Sequence, residues 1–435
     1  MMKLRISHLT FKGIGVGCEP GGHERWRIAK VLPGELVEAR PLETERGHHA
    51  ILEEVLEASP DRRPVACCAD RHCAACQMQC LSPERQRSIK GAQWAKLLQR
   101  IADVSVENVS EPHSPRLLFS YRNRTDLLFD HGCLGLRSLS GAVPDFTPLS
   151  GCLIQSAELN ALVARMEELL APFADIDTAV HFTLEEGFGK ARITIYSSSE
   201  EKELAIAFAS SLSVLSGASI LYQALPPRGS HVYPPVEVLY GDGFYLFDYN
   251  RSGEPLYALK GAWTPVSREN AHLIRDLLYA EISEINLKFD TCVEMGCGCG
   301  THTDIFSSVS SRYIGVDASW NAILSAEHNA GVSGWRNVEF RTGTDDRFFK
   351  KFYLRGNHSD LIVLHSCRLP FSSEIAEYCR KLCAREVLVV APTAYAFSQE
   401  IKYLKNAGFE LKKLHLCETM PHTYHMMGIA RLSKE

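Results

Sequence analysis

The chain carries no excess of positive charge, no low-complexity run, no internal repeat and no apolar segment of bilayer-spanning length. With 47 Lys and Arg against 52 Asp and Glu, the net charge is −5, which removes any global electrostatic pull toward nucleic acid. Contact with a polyanion would have to be local. The N-terminus, MMKLRISHLTFKG, lacks the uninterrupted apolar stretch of a secretory signal, so the cytoplasm is the expected location and no membrane partner is expected. Large disordered tracts are not expected either, because 45% hydrophobic and 23% charged residues are the proportions of a globular protein. At 435 residues the chain exceeds one ordinary core and should divide into two to four domains. A monomer is expected.

What the chain does have is 15 cysteines, which in this setting read as reduced thiols or metal ligands rather than a disulfide framework. Three of them, Cys67, Cys73 and Cys76, lie within ten positions among Arg71, His72, Gln77 and Gln79, with Cys68 as spacer and Cys152 as a remote fourth. Three close thiolates completed by one distant thiol suit an iron-sulfur cube. Zinc competes for the Cys73/Cys76 pair but usually takes two matched close pairs. Cys18, Cys133, Cys379, Cys383 and Cys417 read as ordinary core or surface residues.

Residues 1–58 alternate short β-like runs with Gly and Pro turns, the pattern of a small OB-like barrel. Ser59 to Pro64 reads as a linker. Residues 59–286 read as a mixed α+β domain, with helices over Arg85–Ile101 and Glu158–Leu170 and strands over Leu117–Phe129 and Ala191–Ser197. Basic residues Arg85, Arg87, Lys90, Lys96 and Arg100 read as a solvated helix face. From 287 to 435, strand candidates at Thr291–Glu294, Tyr313–Val316, Val338–Arg341, Leu361–Leu364, Val387–Val390 and Leu411–Leu416 alternate with helix-length segments. That alternation predicts a doubly wound, Rossmann-like parallel sheet, making the whole a multidomain α/β protein.

In such a sheet ligands bind beyond the carboxyl ends of the strands. Gly296, Gly298 and Gly300 allow close backbone approach, and Asp317, at the end of the next strand, is placed to hold two ribose hydroxyls. The run Glu294-Met295-Gly296-Cys297-Gly298 resembles the first motif of class I methyltransferases, so S-adenosylmethionine is the expected ligand.

Taken in order, these segments resemble the 5-methyluridine RNA methyltransferase family over nearly the whole chain. The N-terminal barrel resembles its TRAM domain, and CADRHCAACQMQ with Gly151-Cys152 resembles its four-iron four-sulfur ligand set. SYRNRTDLLF resembles its Y-R-N-R segment, and PHTYH at 421–425 resembles its P-H-T-x-H stretch. The resemblance implies a structured RNA partner, tRNA or ribosomal RNA. It also implies a cysteine that adds to uracil C6 and a glutamate that removes the C5 proton. Pro392 stands at the cysteine's place and Met427 at the glutamate's. The family's Asp-Pro-Pro-Arg motif reads His365-Ser366-Cys367-Arg368, and its cofactor-holding phenylalanine-glutamine segment aligns with Trp263-Thr264-Pro265-Val266, where the glutamine is lost. Cys367, with His365 as base, is the sharpest candidate for a substitute nucleophile, against its reading as a buried structural cysteine at a strand end. His422 and His425 read as structural. Two functions are thus expected to compete: a methyltransferase with an altered site, and an inactive RNA-binding scaffold.

Overall fold

A computed structural model describes residues 1–42, 47–67, 73–137, 146–149, 151–176, 180–226, 233–366 and 369–434. Five strands, β1 (Met2–Leu9), β2 (Ile14–Cys18), β3 (Trp26–Ala29), β4 (Leu36–Leu42) and β5 (His49–Glu57), close into a barrel in the order β1-β2-β3-β5-β4. The period-two pattern of β1 explains its seat: Leu4 and Ile6 are buried while Lys3 and Arg5 face out. A Cβ at Gly17 would lie 2.7 Å from the Arg5 carbonyl oxygen, so the β1–β2 pairing requires glycine there. Residues 59–64 are not a free linker. Arg62 pairs with the fully buried Glu35 at 2.5 Å, and the Arg63 N–H donates to the Cys80 carbonyl at 2.8 Å.

Beyond the cysteine segment, α1 (Pro83–Ala102) starts at an N-cap, Ser82, whose side chain accepts from the Arg85 N–H, and has Pro at its first turn. A seven-stranded sheet follows, from β6 (Arg124–Asp130), β7 (Cys133–Arg137), β8 (Phe146–Pro148), β9 (Val180–Gly187), β10 (Lys190–Ser197), β11 (Ala218–Ala224) and β12 (Glu237–Tyr240). Its order is β12-β11-β10-β9-β6-β7-β8. The helices α2 (Ala157–Leu170) and α3 (Lys202–Leu212) pack on one face, over a core that includes Phe129, Phe182, Leu184 and Phe208. The strand expected from Leu117 begins only at Arg124. Residues 117–123 instead run irregularly, because their N–H groups bond to scattered partners: Leu153, Ile154, Val266 and the Asn270 side chain. A two-stranded ribbon, β13 (Tyr245–Tyr249) and β14 (Pro255–Ala258), leads out of this region.

The C-terminal part comprises α4 (Arg268–Ile285), β15 (Phe289–Met295), α5 (Thr303–Ser308), β16 (Ser310–Asp317), α6 (Trp320–Ser333), β17 (Val338–Thr342) and α7 (Asp345–Leu354). It continues with β18 (Leu361–His365), α8 (Ser373–Lys381), β19 (Glu386–Ala391), α9 (Ala394–Asn406), β20 (Glu410–Cys417) and β21 (Met427–Ser433). The sheet order is β17-β16-β15-β18-β19-β21-β20, with the first five strands parallel. It is not wholly parallel, as expected from sequence, but mixed. The strand β21, whose MGIARLS sequence has only weak alternation, inserts antiparallel between β19 and β20.

The helix α1 packs on α9, with the Trp94 and Phe397 rings 5.6 Å apart, and Gly428 of β21 leaves room for both rings. Its buried stripe of Gln86, Lys90, Trp94 and Leu98 recurs every fourth residue. The solvated basic face expected of α1 is therefore corrected at Lys90, which is 2% exposed and paired with the buried Glu418. Among the described residues, no helix is long and apolar enough to cross a membrane.

Candidate functional site

The parallel strands run outward in both directions from the β15/β18 junction, so the crevice between the carboxyl ends of these two strands is the topological switch point. The loop after β15 lines it. Gly296, Gly298 and Gly300 have φ values of +73°, +56° and +77°, which side-chain-bearing residues rarely adopt. A Cβ on Gly296 would lie 2.8 Å from the His365 carbonyl oxygen.

Asp317 closes β16, and its carboxylate braces the loop: Oδ2 accepts from the Gly298 N–H at 3.0 Å and Oδ1 from the Ser319 N–H at 2.8 Å. Each oxygen retains a lone pair for a ligand hydroxyl. The chain before α4 walls the crevice, with Asn321 donating to the Lys260 carbonyl at 2.7 Å and Cys299 Sγ 3.6 Å from the Trp263 carbonyl oxygen. Glu294, Gly296, Gly298, Gly300 and Asp317 thus come together at one place.

Glu294 is fully buried, and Tyr313 donates to its Oε2 at 2.5 Å. His365 Nε2 and His302 Nδ1 stand 2.7 and 3.7 Å from its Oε1. Burial pushes this carboxyl up, but the adjacent imidazoles of His302 and His365 prevail and hold it down at about 2. Sequence reasoning named Glu294 and His365 for separate reasons and missed His302 and Tyr313. No local spacing ties these four residues together.

Pro392 follows β19 directly, and Thr393 caps α9 by accepting from the Ala396 N–H at 3.3 Å. No ionisable group stands at position 392. Met427 opens β21 opposite Cys417 and packs against the apolar core beside α4. Cys367 and Arg368 lie outside the described residues. Beside that turn Glu400, also missed from sequence, is fully buried and accepts from Ser366 Oγ and, at 3.2 Å, from the Phe371 N–H.

Burial pushes the Glu400 carboxyl up to about 8, with the Asp345 charge adding to it against the two hydrogen bonds. A carboxyl whose pKa is raised on folding binds a proton more tightly in the native state, so stability falls as pH climbs from about 4.5 to about 8. Glu400→Gln should abolish this fall. Urea unfolding across pH 5–9 should show the variant gaining on the parent toward the alkaline end; parallel curves would refute the assignment.

Cys67, Cys73, Cys76 and Cys152 are drawn together from two separate stretches. Burial, with the neighbouring charges of Cys152, Cys73 and Cys67, pushes the Cys76 thiol up to about 12. Asn160 clamps Cys152, accepting from its N–H at 3.1 Å and donating to its carbonyl at 3.0 Å. Tyr121, of the Y-R-N-R segment, feels the charges of Cys76 and Cys152 and donates through its hydroxyl to the Pro421 carbonyl at 2.9 Å. His422 is locked in the same knot: its N–H donates to Gln86 Oε1 at 2.8 Å, its carbonyl accepts from the Met78 N–H at 2.9 Å, and Phe119 stacks on its ring at 4.5 Å. Burial and the nearby Lys90 charge lower its pKa to about 4, which leaves the ring neutral.

Between the cysteine loop and the central sheet lies a cleft of about 1010 Å³, lined by Ala74, Ala75, Arg122, Tyr196, Tyr233 and Lys260. Lys260 Nζ lies over the Tyr196 ring, 5.4 Å from its centroid, and Asp126 also lines the cleft. An uncharacterized RNA methyltransferase of Aquifex aeolicus is 24% identical over 445 aligned residues, covering 99% of this chain and 98% of its own length. The 23S rRNA (uracil(1939)-C(5))-methyltransferase RlmD of Aeromonas hydrophila is 23% identical, covering 100% of this chain and 96% of its own length. This chain resembles RNA methyltransferases, among them uracil-C5 enzymes, from end to end. No family model matches it. The crystal structure of Pyrococcus abyssi tRNA (uracil-54, C5)-methyltransferase, complexed with S-adenosyl-L-homocysteine, superposes with a TM-score of 0.76 at 16% identity over 99% of both chains. The likeness to that uracil-C5 methyltransferase in fold therefore extends through all three parts of the chain.

Proposed function

We propose that the protein is an S-adenosylmethionine-binding RNA methyltransferase of the uracil-C5 type whose catalytic site has departed from thiolate addition. In this reading residues 1–58 form a TRAM-like barrel, 59–286 carry a four-iron four-sulfur cluster on Cys67, Cys73, Cys76 and Cys152, and 287–435 bind the cofactor. The partner is tRNA or ribosomal RNA. One observation carries the reading: the crevice of Glu294, Gly296, Gly298, Gly300 and Asp317 lies at the same sheet edge as a strand-to-helix turn whose residue 392 is proline. The four thiols suit the cluster because a half-buried, mutually repelling set becomes thiolate most readily with cationic metal to hold it.

Bound S-adenosylmethionine would supply an electrophilic methyl group. Asp317 would hold the ribose, and the glycine loop would take the backbone-facing side. Arg122, Lys260, Tyr196 and Tyr233 would grip phosphates and stack splayed bases. Without a thiolate to add to C6 and a carboxylate to take the C5 proton, uracil C5 stays a poor nucleophile, whereas an exocyclic nitrogen or ribose oxygen needs mainly positioning and proton removal. The same absences favour a second reading, an inactive RNA-docking scaffold.

Calorimetry should show S-adenosylmethionine binding that Asp317→Ala weakens by about 1–3 kcal/mol, as for a lost charge-assisted hydrogen bond. Asp317→Asn keeps one of the two acceptors that brace the loop and replaces the other by an NH2 donor, so thermal unfolding of both variants separates ligand contact from loop collapse. RNA bearing 5-fluorouridine should form no covalent adduct. An adduct mapped to Cys367 would establish a relocated nucleophile, and no cofactor binding at millimolar concentration would leave only the scaffold.

A further inference from the structure

We infer that Glu294, His302 and His365 form a binding site for a divalent transition-metal cation at the mouth of the β15/β18 crevice. Their donor atoms, one carboxylate oxygen and two imidazole nitrogens, all lie within 4.8 Å of one another. They come from three places in the chain: the end of β15, the residue before α5, and the end of β18. Only the sheet's topology brings them together. Two histidines and one carboxylate are a ligand set for zinc, iron(II) and similar ions, and they leave coordination positions open for water or another oxygen ligand.

Three features distinguish this from a buried acid paired with histidines. Glu294 is fully buried, and its Oε1 completes no hydrogen bond, although His365 Nε2 is 2.7 Å away and equally unpartnered. The oxygen lies off the line of the ring N–H. Atoms this close and out of line are placed as co-ligands are, whose separation around a tetrahedral ion is about 3.3 Å. The 2.7 and 3.7 Å gaps from Oε1 to the two nitrogens bracket that value.

The two imidazole rings are also parallel, 5° apart with centroids at 5.2 Å, so neither ring donates edge-on to the other. The other carboxylate oxygen is oriented from behind by the Tyr313 hydroxyl, which itself accepts from Thr303 Oγ1 at 3.1 Å. A hydrogen-bonded outer layer of this kind fixes a ligating carboxylate. Gly296 leaves the space beside the His365 backbone empty of side chain.

The site shares Glu294 with the cofactor crevice, so its test uses metal alone. Full-length protein, purified anaerobically and then stripped of loosely held metal, is titrated with Co2+ and separately with Zn2+ in the absence of cofactor and RNA. One equivalent of Co2+ should bind with visible d–d bands and no sulfur-to-cobalt charge transfer in the near ultraviolet, which separates this site from the cysteines. His302→Phe and His365→Ala should each abolish that equivalent while keeping the parent's circular dichroism. Should either variant misfold, Tyr313→Phe keeps all three ligands and should weaken Zn2+ binding about 10- to 100-fold. Cobalt bound only with thiolate charge transfer, or zinc affinity unchanged in all three variants, would overturn the proposal.

Discussion

Lys90→Met should cost about 3–5 kcal/mol of stability, the usual consequence of stranding one partner of a buried ion pair. Lys90 Nζ donates to the Glu418 carboxylate and to the Thr423 carbonyl at 3.0 Å, with side-chain exposures of 2% and 0% for the pair. Burial lowers the Lys90 pKa against the pull of Glu418. The only other cation recorded near that carboxylate, among the described residues, is Arg87, 3.9 Å from Oε2. Removing the ammonium therefore leaves a carboxylate in an apolar seam. The double variant Lys90→Met/Glu418→Leu should recover most of the loss, because the desolvation cost disappears with both charges. Urea unfolding followed by tryptophan fluorescence checks this, Trp94 one turn along the same helix being one of five tryptophans. A single-variant cost under about 1 kcal/mol would mean that the pair behaves as a surface bridge.

Cys152→Ala should remove all the iron. On the cluster assignment, protein prepared without oxygen is brown and carries close to four irons per chain. The variant should be colourless and poorly soluble, because Cys67, Cys73 and Cys76 lose their anchor to the central sheet. Cys18→Ala, a half-buried thiol at the end of a barrel strand, should change neither colour nor solubility. Stoichiometric zinc without iron in the parent protein, lost in the Cys152→Ala variant, would refute the cluster and reinstate the tetrahedral alternative.

The strands of the C-terminal sheet were legible because β16, β18 and β19 carry apolar runs flanked by helix-length segments, as in Leu361–His365. The strand β21 was not, since its place depends on Gly428 fitting beneath Phe397 and Trp94, a contact made by residues far away in sequence. The glycine loop and Asp317 were legible as a motif because strand, turn and acid follow one another locally. The Glu294, His302 and His365 group was not, because His365 joins it only through pairing of β15 with β18. Lys90 misled for the opposite reason: a basic residue on an amphipathic helix reads as exposed until its acidic partner arrives from Glu418.

The knot around His422 also sets a timetable. Gln86 and His422 are separated by 336 residues, and α1 cannot bury Trp94 before α9 and β21 exist. At about 5–20 residues per second of synthesis, that interval is tens of seconds. The barrel, built from neighbouring strands, can form soon after emergence, while the cysteine segment behind it waits with its docking surface unmade. Chaperone dependence should therefore concentrate on residues 60–110.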